Sequence, residues 1–133
     1  MAGRQKSVNH CPCGGASYAS CCARFHSGEI APNAEALMRS RYSAYVLKLE
    51  TYLLATWHPG TCPATFDLAQ DITQWIGLQV IRYISQSAET ATVEFVARYK
   101  IHGRAQRLHE VSRFVFEDGR WLYVDGEMKN ERY

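Results

Sequence analysis

Four of the five cysteines, Cys11, Cys13, Cys21 and Cys22, stand within twelve consecutive residues of a 133-residue chain. A disulfide-stapled secreted domain spreads its bridges over its whole length, whereas clustered thiols favour a metal site in a compartment where thiols stay reduced. The surrounding residues argue the same way. Between residues 1 and 28 only Val8, Tyr18 and Phe25 are sizeable apolar groups, too few for an independent core. This segment needs an external staple, and four thiolates offer a closed tetrahedral shell for a structural Zn²⁺. Pro12 stiffens the first pair, and Gly14-Gly15 permits the reversal that brings Cys21 and Cys22 back to it. The ligand set is open between these four thiols and a Cys/His mixture, since His10 adjoins Cys11 and His26 follows Cys22 by four residues on one helix face. A closed shell leaves no position for a catalytic water. Cys-x-Cys and a vicinal pair also depart from the Cys-x-x-Cys spacing of a thioredoxin-like centre. Cys62 stands apart and reads as a small, partly buried residue.

Charge and hydropathy exclude other classes. Fifteen Lys and Arg against thirteen Asp and Glu give a formal net charge of +2, too little to draw the chain to nucleic acid without a local patch. No run approaches the roughly 18 to 20 apolar residues of a membrane span. Met1 to His10 is polar and basic, unlike a signal peptide, so a bacterial cytoplasmic location is expected.

Beyond the head the pattern is helical, then extended. Asn33 offers an N-cap, and Leu37, Met38, Tyr42, Tyr45, Val46 and Leu49 recur at helical spacing. A second helix is predicted over 50–57, stopped by Pro59, and a third over 65–74 around Phe66, Leu68 and Ile72. Four strands follow over 75–85, 90–101, 106–117 and 120–125, with His102-Gly103 and Asp118-Gly119 as hairpin turns. This order predicts an α+β domain, residues 29–133, with helices on one face of an antiparallel sheet, preceded by a metal-binding head over 1–28. A two-residue Asp118-Gly119 turn pairs Phe116 with Trp121, Phe114 with Tyr123 and Ser112 with Asp125. An even loop at His102-Gly103 adds Val93, Phe95, Ala97, Tyr99, Leu108 and Glu110 to the same face.

The head, Cys-x-Cys followed after seven residues by Cys-Cys, resembles the SEC-C motif, whose spacer is eight. The stretches Phe25-His26-Ser27-Gly28, Ala34 to Tyr45, Leu53 to Pro59, Glu110 to Phe114 and Tyr123 to Gly126 resemble the YchJ-like family of small bacterial proteins. That resemblance implies a nuclear transport factor two-like (NTF2-like) fold, a cone of curved antiparallel sheet closed by helices. It implies no particular biochemical activity.

Within the cone, Glu110, Ser112 and Asp125 fall on an otherwise apolar face with Trp121, and buried carboxylates need partners. Arg39 or Arg41 is expected to reach across from the first long helix and pair with Glu110 or Asp125. The plain reading is an ion pair tying helix to sheet. The sharper one is a small-molecule cavity with Trp57 and His58 at its mouth, or a small hydrolase, isomerase or cyclase using Glu110 or Asp125 as acid or base. His58 has an equally simple reading as a helix-end residue beside Pro59. The leading expectation is a zinc-binding interaction protein, its head docking a protein partner and its cone holding a ligand. Association with RNA or the ribosome through Arg98, Lys100, Arg104, Arg107 and Arg113 is the third reading.

Overall fold

The computed structural model describes residues 10–64 and 66–129. Helix α1 (Cys22–His26) closes the head and α2 (Ala34–Leu47) is the long helix of the body. The body continues with α3 (Glu50–Ala55) and a four-stranded sheet of β1 (Gln74–Ser85), β2 (Thr90–Ile101), β3 (Arg104–Glu117) and β4 (Arg120–Met128). The strands run antiparallel in the order β1-β2-β3-β4. No helix among the described residues is long and apolar enough to cross a membrane.

Local chemistry accounts for these boundaries. The Asn33 side chain accepts the Ala36 N–H at 2.8 Å and starts α2. Lys48 ends it in the left-handed region at φ 59°, and Leu49 N–H returns to the Ala44 carbonyl, so α3 leaves at a new angle. The third helix expected over 65–74 does not form within the described residues; only a 3₁₀ turn, Leu68–Gln70, is present. Asp71 explains the stop: its carboxylate accepts both the backbone N–H and the hydroxyl of Thr73, a local bond that competes with the next helical turn and directs the chain into β1.

The β2–β3 register agrees with the even loop: Phe95 faces Glu110, Val93 faces Ser112 and Ala97 faces Leu108. The β3–β4 register agrees through Phe116↔Trp121 and Phe114↔Tyr123 and then departs, because a bulge adds one residue to β4. Ser112 faces Gly126, and Asp125 is carried to the outer face opposite Arg113. Two more bulges, at Ile76 and Ile81, keep Trp75, Leu78, Val80 and Tyr83 in phase with the inner face of the sheet.

Helix α2 is buried on more sides than an ordinary surface helix. Met38 and Tyr42 join the core built on Phe95 and Phe114, Ala44 packs with Leu53 and Leu68, and Ser40 and Ser43 are fully buried toward the head. Cys11, Cys13, Cys22 and Phe25 belong to the same apolar cluster as Leu37, Met38 and Phe114. Head and body therefore share one core.

Candidate functional site

The head begins with a tight turn in which Gly14 N–H bonds the Cys11 carbonyl at 3.0 Å and Cys11 N–H bonds the Gly15 carbonyl at 3.1 Å. Gly14 takes φ 106°, open to glycine and strained for other residues. Gly15 is needed for space: a β-carbon there would lie 2.7 Å from the Cys21 sulfur. The ligand atoms of Cys11, Cys13, Cys21 and Cys22 all lie within 4.8 Å of one another, with Cys13–Cys21 at 3.5 Å and Cys21–Cys22 at 4.0 Å. This donor set could hold a metal ion.

Its electrostatics show what the thiols lack. A hydrogen bond from Cys22, the largest influence, helped by the Gly15 N–H, pulls the Cys13 thiol from 9.0 down to about 5. Burial pushes Cys21 up to about 11, and the Cys22 proton, held by Cys13, is harder still to remove. One negative charge is comfortable in this space and further ones need a cation.

Neither histidine weighed as a ligand joins the sulfurs. His26 Nε2–H donates to the Ser40 carbonyl at 2.8 Å and Nδ1 accepts the Tyr18 hydroxyl at 2.6 Å, so both ring nitrogens are engaged away from the sulfurs. Burial holds the His26 pKa below 6.5, leaving the ring neutral. His10 is exposed and is not part of the cluster. Of the three basic residues that the sequence sets near the thiols to offset their charge, Arg4 and Lys6 lie outside the described residues, and Arg24 bonds the Cys21 carbonyl at 3.2 Å and Glu29 at 3.3 Å. Ser43, which the sequence reading did not single out, sits under the cluster from α2: its hydroxyl donates to Cys22 Sγ at 3.3 Å and lies 3.6 Å from Cys11 Sγ. The only sequence signal for it was a Ser40/Ser43 pair interrupting an apolar helix.

The second feature is a cavity of about 320 Å³ between α2 and the inner face of the sheet. Its walls include Met38, Trp75, Phe95 and Leu108, and its polar groups are Arg41, Glu110, Ser112, Tyr45 and Tyr123. Arg41 is 5% exposed. Its Nη1 donates to the Leu53 carbonyl at 2.8 Å and Thr56 Oγ1 at 2.7 Å, and its guanidinium lies 4.9 Å from the Trp57 ring and 4.6 Å from the Tyr123 ring. Burial lowers its pKa, while Tyr45, Tyr123 and Tyr52 and, least of them, Glu110 act in the opposite direction. Glu110 is 6% exposed, and its Oε2 accepts the Ser112 hydroxyl at 2.6 Å and the Tyr123 hydroxyl at 3.2 Å. Burial, with the Glu110 charge beside it, raises the Tyr123 pKa and keeps that hydroxyl a donor. Gly126 makes this possible, because a β-carbon there would fall inside the Glu110 carboxylate.

Arg41, Glu110 and Ser112 line one cavity, but the expected ion pair between helix and sheet is not made: Arg41 bonds Leu53 and Thr56 while Glu110 takes the Ser112 and Tyr123 hydroxyls, and the other candidates lie elsewhere. Arg39 lies on a different side of α2, bonding Glu35 at 3.0 Å and the Cys13 carbonyl at 3.2 Å; two residues along a helix turn a side chain by about 200°. Asp125 faces Arg113, which donates twice at 2.6 Å, because of the β4 bulge. Trp57 packs edge-on against Phe66 and Tyr123 behind Arg41 and does not line the cavity. His58 pairs with Glu117 at 3.1 Å beyond the sheet edge, where its backbone N–H bonds the Tyr123 carbonyl. Trp121 packs on Phe116 at the hairpin end and lines a smaller cleft of about 210 Å³ near His26.

A family model described as "YchJ, middle NTF2-like domain" matches residues 33–126. A UPF0225 protein of Cupriavidus metallidurans is 58% identical over 127 residues, covering 90% of this chain and 89% of that protein. One from Chromobacterium violaceum is 52% identical over 132 residues, covering 95% and 98%. The solution structure of a SEC-C motif containing protein from Rhodopseudomonas palustris superposes with a TM-score of 0.80 at 34% identity, covering 91% of this chain and 99% of that one. The crystal structure of a SEC-C motif containing protein from Psychrobacter arcticus gives 0.77 at 28% identity, covering 96% and 86%.

Proposed function

Since the chain belongs to the YchJ-like family of bacterial proteins with an NTF2-like domain, we propose that it is a small-molecule-binding module stapled by a structural zinc ion. The convergence of four sulfurs above Ser43 supports the metal half of this reading. A tetrahedral ion with Zn–S near 2.3 Å sets its sulfurs about 3.8 Å apart; Cys13–Cys21 at 3.5 Å and Cys21–Cys22 at 4.0 Å bracket that value, and all four sulfurs lie within 4.8 Å of one another. Thiolate softness and the four-sulfur set favour zinc. With all four positions filled by protein, the ion's chemistry is structural: it neutralises thiolates and ties the Cys11–Cys13 turn to α1. Burial of Cys11, Cys13 and Cys22 against α2 supports the staple, and docking of a protein partner on the head would fall to its exposed face at Gly14, Ala16, Ala19 and Ser20.

The cavity half follows from α2. That helix carries Ser43 to the sulfurs and Arg41 to the cone, so the stapled head holds in place the helix that forms one cavity wall. Elemental analysis of natively purified full-length protein tests the metal, with one zinc per chain expected. Removing it with a tight chelator is expected to lower and broaden the thermal transition. A chain free of metal, with the same transition before and after chelation, overturns the staple.

A further inference from the structure

The cone cavity holds a buried cation and a buried anion that satisfy themselves separately. Arg41 gives Nη1 to the Leu53 carbonyl and Thr56, and Glu110 receives Ser112 and Tyr123 on one oxygen, Oε2. The Tyr123 side chain touches both, its ring 4.6 Å from the guanidinium and its hydroxyl on Glu110, and both line the same 320 Å³ of room. Arg41 has five N–H donors, two of them spent on Leu53 and Thr56 with the Tyr45 hydroxyl also in reach, so donors remain to offer, and Glu110 keeps the acceptor capacity of Oε1. Resting on the ligand-binding reading above, we infer that this cavity takes a small zwitterion, its ammonium on Glu110, its carboxylate on Arg41 and its apolar side chain against Trp75, Phe95 and Leu108.

Three considerations select this class. A ligand with only a positive charge meets Arg41, and one with only a negative charge meets Glu110; each charge then loses water without gaining a partner. A wholly apolar ligand strips water from both. A zwitterion answers both ions and leaves the site neutral, as it is when empty. Size agrees as well: about 320 Å³ stands at the small end of the roughly 300–1,000 Å³ typical of small-molecule sites, the scale of an apolar amino acid. The walls are aromatic and aliphatic, with Tyr42 edge-on to Trp75 at 5.8 Å, and suit its side chain.

The test uses zinc-loaded full-length protein and two matched probe sets: phenylalanine with phenethylamine and 3-phenylpropanoate, and leucine with isoamylamine and 4-methylpentanoate. Binding is followed by NMR shifts of the Trp75 indole and of the Phe95 and Tyr123 amides. At least one amino acid is expected to bind tenfold or more tighter than both its amine and its acid. In Glu110→Gln, whose fold is checked by thermal melting, that preference over the acid should fall at least fivefold. If amine, acid and amino acid all shift the cavity signals with equal affinity, the zwitterion is overturned while the cavity remains a ligand site. If no probe moves these signals, both readings fall.

Discussion

Gly15→Ala places one methyl group against the metal-site geometry and nothing else. The new β-carbon would lie 2.7 Å from Cys21 Sγ, 3.2 Å from Cys21 Cβ and 3.4 Å from Cys11 Cβ. Carbon and sulfur settle no closer than about 3.6 Å, so Cys21 must retreat by nearly 1 Å. Metal–ligand distances tolerate only about 0.2 Å, so Cys21 no longer ligates well and the affinity for zinc falls on the order of 100-fold, the upper range for disturbing a ligand's support. By linkage, in excess zinc, that factor is about 2.7 kcal/mol of folding stability, or about 10 °C for a domain of this size. The assay is a pair of thermal melts, one with buffered free zinc and one with a tight chelator, together with a chelator competition titration. With zinc the variant should melt about 10 °C below the parent; with chelator the two should melt within about 2 °C of each other. A variant that binds zinc as tightly as the parent, or that loses the same stability with and without metal, refutes the argument that Gly15 serves the sulfurs.

Ser43→Ala removes the hydroxyl that donates to Cys22 Sγ, and zinc affinity should fall about tenfold in the same competition titration. Gly126→Ala pushes the Glu110 carboxylate from Ser112 and Tyr123; a loss of about 2 kcal/mol in urea unfolding is expected, shrinking below about 0.5 kcal/mol when Glu110→Ala is already present. A full-sized loss in the Glu110→Ala background shows that Gly126 serves some other contact. His26 is neutral in the fold and its pKa lies below 6.5, so the unfolded chain takes up the proton first on acidification. Its contribution is complete above about pH 6.5 and declines as pH falls from there toward the folded pKa; an NMR titration of the His26 ring with a midpoint at or above 6.5 contradicts this.

The element order was legible because its signals are local. Asn33 marks a cap, the spacing from Leu37 to Leu49 marks a helix, and Asp118-Gly119 sets a register that holds for two successive cross-strand pairs. It failed at the third pair, where a single extra residue in β4 moved Asp125 to the opposite face, and a bulge leaves no mark in an alternating pattern. The metal cluster was legible because four thiols in twelve residues have few other uses, while its support was not: Ser43 is 21 residues from Cys22, and only folding brings the two together. Of the two arginines on α2, both offered the same charge, and only the helix rotation set by head, sheet and α3 decides that Arg41 enters the cone while Arg39 joins the Cys13 carbonyl.

The two bulges in β1 have a consequence for how copies of this chain treat one another. Among the described residues that strand is the free margin of the sheet, whereas the far margin beside β4 is partly closed by the bridge from Trp57 to Tyr123. It is rich in isoleucine, with Ile76, Ile81 and Ile84 all turned to water. A straight strand of that composition would invite a neighbour to zip alongside and propagate a fibre. Each bulge throws the row of amide groups out of step, so an approaching strand finds no more than a few consecutive partners before the match is lost.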